Sequence, residues 1–150
     1  MSSDAPTPDA DLDDRVDLDD DTEPLLPEVV RQRVVGLAAA AMSAVPIEEL
    51  PTSLRRIAKF APTRRAKLGG PMIAAQLAAD PLLRQRLASR ALVEAGELGP
   101  AVLAGAPPAA ADPVDVAALA YLARPDGWRV LVDQVARALL ADATSAVFAY

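Results

Sequence analysis

Arg55, Arg56, Lys59, Arg64, Arg65 and Lys67 fall between Leu50 and Ala79, a stretch that contains no acid. Guanidinium and ammonium groups are the side chains that contact phosphate oxygens, and several together neutralise a polyanion more effectively than any one alone. Phe60 lies inside the run and supplies an aromatic ring on which a base can stack. The chemistry these types suggest is therefore capture of a nucleic-acid backbone, with Arg55, Arg56, Lys59, Phe60, Arg64, Arg65 and Lys67 as the candidate residues. Six cations engaged on a single strand would give a log–log salt slope on the order of −4. Two plainer readings stand beside it. The cations can dock an acidic protein partner, or they can form a solvated helix face with Phe60 buried between helices.

Other groups offer less. Gly69-Gly70 could present backbone amides to a phosphate at a following helix start, but no GxxxxGK[ST] arrangement accompanies the pair. A helix break is the expected role. Glu48-Glu49, Glu94 with Glu97, and Asp112 with Asp115 form no general acid/base pair and no metal constellation. The last two aspartates read as helix-capping groups. The chain has no cysteine and no histidine, which excludes disulfides, iron–sulfur clusters, thiol nucleophiles, imidazole bases and the usual zinc sites. The expectation is a non-enzymatic protein with no catalytic residue, no metal ligand and no cofactor.

Charge divides the chain. Residues 1–24 hold ten acids and one base, whereas residues 25–150 hold eleven acids and fourteen bases, so a tail of −9 precedes a body of +3. Such a tail, poor in bulky apolar groups and self-repelling, is expected to be disordered. It can serve solvation or fold back on the basic run as a polyanion mimic. The acidic N-terminus argues against a secretory signal. The longest uncharged apolar run, Val34 to Ile47, is shorter than the roughly 20 residues of a membrane span. A soluble, cytoplasmic protein with no membrane contact is expected.

The elements that position the cations are helical. Hydrophobic residues make up 52% of the chain but aromatics only 3%, and alanine, the best helix former, is abundant. Pro27 suits a helix start, and Val30, Val34, Leu37, Ala38 and Ala41 then follow at helical spacing up to Pro46. After Pro51, Leu54, Ile57, Ala58 and Ala61 form an inner face and leave Arg55, Arg56 and Lys59 outside. Pro62 opens a short turn or helix carrying Arg64, Arg65 and Lys67; Gly69-Gly70-Pro71 should interrupt it before an Ala-rich helix to Ala79. Asp80-Pro81 and Asp112-Pro113 are N-cap signatures. The first opens a helix with Arg86 and Arg90 on one side, positions that extend the patch if the helix packs beside it. The second opens VDVAALAYLAR, apolar almost all round and so a candidate central helix. A short helix lies within 96–111. The final one runs from Asp126 or Trp128 to Asp142, with Asp133 and Arg137 as an exposed i, i+4 pair. No strand pattern is present. The fold class is all-α: a compact bundle of six or seven short helices over 25–143, after a disordered tail at 1–24 and before an irregular end at 144–150.

Four stretches, LPEVVRQRVVGLA (26–38), LPTSLRRIAKFAPTRRAKLGG (50–70), DPLLRQRLA (80–88) and AADPVDVAALAYLARPDGW (110–128), resemble the N-terminal helical region of actinobacterial NYN domain-containing proteins, the YacP-like group described as RNA-binding. The resemblance covers about 25–135 and is most specific over 110–128. In that family a charged, coiled-coil segment follows, and then a PIN-like NYN domain whose clustered aspartates bind a divalent metal for RNA cleavage. This sequence reaches Tyr150 before such a domain begins, and its ending DATSAVFAY is unlike the charged continuation. Such an ending is open to three readings, a truncation, a frameshift or a fragment, and the nuclease aspartates of the family have no counterpart here. The resemblance implies an accessory module of an RNA-associated protein, with RNA as partner. A protein partner or a homo-oligomer is the alternative.

Overall fold

Prolines set most of the helix starts, because the first turn has no use for their missing N–H. The computed structural model describes residues 23–148, and among them it contains seven α-helices and no strand. They are α1 (Glu28–Ala41), α2 (Thr52–Ala58), α3 (Pro62–Ala79), α4 (Pro81–Glu94), α5 (Leu98–Leu103), α6 (Pro113–Ala123) and α7 (Trp128–Phe148), with 3-10 turns at Met42–Ala44 and Ile47–Glu49. Pro27 and Pro51 take the N-cap positions of α1 and α2, while Pro62, Pro81 and Pro113 stand in the first turns of α3, α4 and α6. Both aspartate caps form. The Asp80 carboxylate accepts from the Leu83 N–H at 3.1 Å, and the Asp112 carboxylate from the Val114 N–H at 2.9 Å.

The helix expected to be central is central. In α6, Val114 and every residue from Val116 to Leu122 are buried, and the helix packs against α1, α4, α5 and α7. Ala117, Ala118 and Ala120 let the neighbouring backbones come close, while Leu119 and Leu122 supply the bulk. α1 also packs against α3, which contributes Ile73 and Leu77 and in turn contacts α2, the source of Leu54 and Ile57.

Four expectations need correction. Gly69-Gly70-Pro71 does not interrupt anything: α3 is continuous from Pro62 to Ala79. Both glycines are buried, and a Cβ at Gly69 would stand 2.4 Å from Cδ1 and 2.9 Å from Cγ2 of Ile57 on α2. Close helix packing, which local propensity does not report, requires the first of the pair. The last helix continues past Asp142 to Phe148, through most of the end expected to be irregular. It has no Gly or Pro to stop it, and the Thr144 hydroxyl donates to the Leu140 carbonyl at 2.9 Å. Asp133 and Arg137 form no ion pair among the described residues. Glu23 and Pro24 belong with the body, because Glu23 bonds to Tyr121 and Arg124. The rest of the expected tail, 1–22, lies outside the described residues. No described helix is long and apolar enough to cross a membrane.

Candidate nucleic-acid interface

The seven candidate residues separate by what their side chains already hold. Arg65 faces inward and is only 8% exposed. Its guanidinium donates to the Ala58 carbonyl through Nε at 3.2 Å and Nη2 at 2.9 Å. Nη1 donates to the Ala39 carbonyl and to Ser43 Oγ, both at 2.7 Å. One cation therefore satisfies the C-terminal carbonyls of α1 and α2 together, where the helix dipoles favour positive charge. Burial lowers its pKa from the usual guanidinium value. Arg65 is an internal clamp and presents nothing to a phosphate.

Arg55 is exposed but tethered, donating to the Leu50 carbonyl at 3.1 Å and the Glu48 carbonyl at 3.0 Å. It stands in an open cleft of about 410 Å³ shared with Glu48, Glu49 and Arg86. Arg64 lies over the ring of half-buried Phe60, with its guanidinium carbon 5.3 Å from the centroid. Arg56, Lys59 and Lys67 are exposed. Among the described residues, none of Arg56, Lys59, Arg64 and Lys67 has an ion-pair partner. All four belong to α2, α3 or the corner between them.

The contrast with the other bases is sharp. Arg31 pairs with Glu28 at 2.6 Å, Arg33 with Asp115 and, at 3.6 Å, with Asp112. Arg86 pairs with Glu49 at 2.5 Å and Arg90 with Glu94 at 2.6 Å. The suggested extension of the patch through Arg86 and Arg90 is thereby neutralised. Arg84 is buried and donates to the Leu122 carbonyl at 2.7 Å. Like Arg84, Arg137 on α7 has no ion pair among the described residues.

Beside Lys67 runs a groove of about 470 Å³ between α1 and α3, lined by Val35, Ala66, Gly70 and Pro71 together with Arg31 and Gln32. Among the described residues no three His, Cys, Asp or Glu side chains gather to hold a metal. The arrangement offers electrostatic attraction, one stacked guanidinium, and shallow relief.

Sequence reasoning missed a second cluster at the C-terminus of α6. Tyr121 is 5% exposed and donates its hydroxyl to Glu23 Oε1 at 2.6 Å. Arg124 Nη2 donates to the same carboxylate at 2.7 and 2.8 Å. Arg124 takes a left-handed backbone (φ 51°) and lies 4.8 Å from the Tyr121 centroid and 4.5 Å from that of Trp128. Burial first, and then Glu23, push the Tyr121 hydroxyl up to about 12. An Arg between two aromatics was visible in YLARPDGW; its partner Glu23, 98 residues before Tyr121, was not. Neither a protein-family model, a curated protein nor a solved structure matches the chain.

Proposed function

We propose that the chain is a non-catalytic helical module of an RNA-associated protein, binding RNA phosphates weakly and without sequence preference through Arg56, Lys59, Arg64 and Lys67. One observation carries this reading: these four cations are exposed and unneutralised, whereas most other bases of the described body are paired with acids or bonded to carbonyls. Solubility does not require such a cluster, and neutralising several phosphates at once does. Arg64, set against Phe60, offers a guanidinium plane on which an unpaired base can stack. The resemblance of 50–70 and 110–128 to the actinobacterial YacP-like NYN proteins supports RNA as the anion, and a cytoplasmic location goes with it.

The test is a salt titration of the full chain with a single-stranded oligouridylate. Four phosphate contacts give a log–log slope of about −3, shallower than six would. Arg64→Glu with Lys67→Glu should weaken binding and bring the slope to about −1.5 or flatter. Identical affinity and slope in the double variant would overturn the reading.

A second reading, a protein-docking or self-association surface, is favoured by Leu68 and Met72. They are 58% and 44% exposed one turn apart on the helix that carries Arg64 and Lys67. Salt-insensitive association in light scattering, abolished by Leu68→Ser with Met72→Ser, would select it.

A further inference from the structure

The Glu23 carboxylate is gripped by the Tyr121 hydroxyl and the Arg124 guanidinium. Beside it lies a cavity of about 240 Å³ that Glu23 and Pro24 line together with Ala74 and Ala78. The chain therefore enters the body alongside the C-terminal half of α3. Arg64 and Lys67 occupy the N-terminal half of the same helix, fourteen and eleven residues before Ala78. At the helical rise these offsets are about 21 and about 16 Å. Six residues of extended chain cover about 20 Å and nine about 30 Å, so Asp17 can reach Lys67, and Asp14 and every acid before it can reach Arg64 as well. Residues 1–22 carry nine aspartates (Asp4, Asp9, Asp11, Asp13, Asp14, Asp17, Asp19, Asp20 and Asp21) against Arg15 alone.

We propose that the aspartate-rich segment 4–21 docks on Arg64 and Lys67 of its own chain, as a tethered anion that RNA must displace. The docking stands on charge, reach and the Glu23 anchor; its role as a competitor rests on the function proposed above. Tethering presents the segment at an effective concentration on the order of millimolar, enough for individually weak contacts to hold. Since the segment offers little apolar surface, the contact is electrostatic and loosens as salt shortens the screening length. A polyphosphate strand engages the same cations through charges fixed at closer intervals, so it exchanges with the segment.

The native chain has no cysteine, so Ala10→Cys gives a unique position for a nitroxide label on the full-length protein. At low salt the label should broaden amide resonances of residues 56–67. The broadening should vanish at about 0.5 M salt, and in the Arg64→Glu, Lys67→Glu variant, whose spectrum also reports that the body remains folded. Replacing the nine aspartates by asparagine in the full chain should raise oligouridylate affinity about tenfold. Broadening confined to the neighbourhood of Glu23 would overturn the docking, as would broadening that survives charge reversal. An affinity gain without broadening would mean long-range repulsion alone, and also overturns it. Broadening carried over to an unlabelled, isotope-enriched copy mixed with the labelled one would replace the intramolecular contact by one between chains. Broadening at 56–67 with no RNA binding by either form would uphold the docking and remove the RNA reading.

Discussion

Arg64 and Arg65 are neighbours of the same chemical type, and the helix points them at different surroundings. Successive residues of an α-helix turn by about 100°; Arg64 faces water and the Phe60 ring while Arg65 faces the carbonyls of Ala39 and Ala58. Their replacements should separate cleanly. Arg65→Met leaves buried acceptors without their charged donor and should cost about 2–4 kcal/mol in urea unfolding. The salt slope of RNA binding should remain as in the native chain wherever the variant stays folded. Arg64→Met should shift stability by less than about 0.5 kcal/mol, as exposed substitutions do, yet lower RNA affinity. Loss of stability on changing Arg64, or a flattened slope on changing Arg65, would reverse these assignments.

At the scale of elements, α3 shows what a local reading of glycine misses. Gly69 and Gly70 are adjacent in one helix, but a Cβ at Gly69 meets Ile57 at 2.4 Å while one at Gly70 meets only Val35 at 3.7 Å. Gly69→Ala should therefore destabilise by about 1 kcal/mol, overpacking outweighing the gain in helix propensity. Ile57→Val, which removes the Cδ1 atom, should recover part of that loss in a double-mutant cycle. Gly70→Ala should instead stabilise by about 0.5–1 kcal/mol, since an ordinary contact leaves the propensity gain intact. Thermal melts of Gly69→Ala, Ile57→Val, their double variant and Gly70→Ala decide it. What could be read from the sequence was what local chemistry controls: the Asp80 and Asp112 caps, the proline starts, and the all-apolar α6. The unbroken α3 could not, because the reason for Gly69 sits on another helix. Of the candidate site, the exposed Arg56, Lys59, Arg64 and Lys67 were legible from the charge run; that Arg65 turns inward and Arg55 is tethered depended on carbonyls of the preceding turns and helices.

For the whole molecule, the N-terminal end of the described body is closed onto α6 by Glu23, Tyr121 and Arg124. Tyrosine in an unfolded chain ionises near pH 10, whereas Tyr121 in the fold is held up to about 12. Between those values the unfolded state has lost a proton that the native state keeps. Stability linked to this group is thus fully present below about pH 10 and falls as pH rises toward 12. Tyr121→Phe should abolish this dependence, and urea midpoints at about pH 9 and about pH 11 in the two proteins measure it. An equal drop in both would assign the alkaline loss elsewhere. Finally, the burial of α6 on every side has a consequence in time. Translation delivers α1, α3 and α4 first, and the faces of α1 and α4 that cover α6 have nothing to close on until 113–123 arrive. A chain halted before Pro113 is therefore expected to leave those apolar faces uncovered, surface of the kind that chaperones bind, and protease sensitivity of a stalled chain ending at Asp112 compared with one ending at Tyr150 measures it.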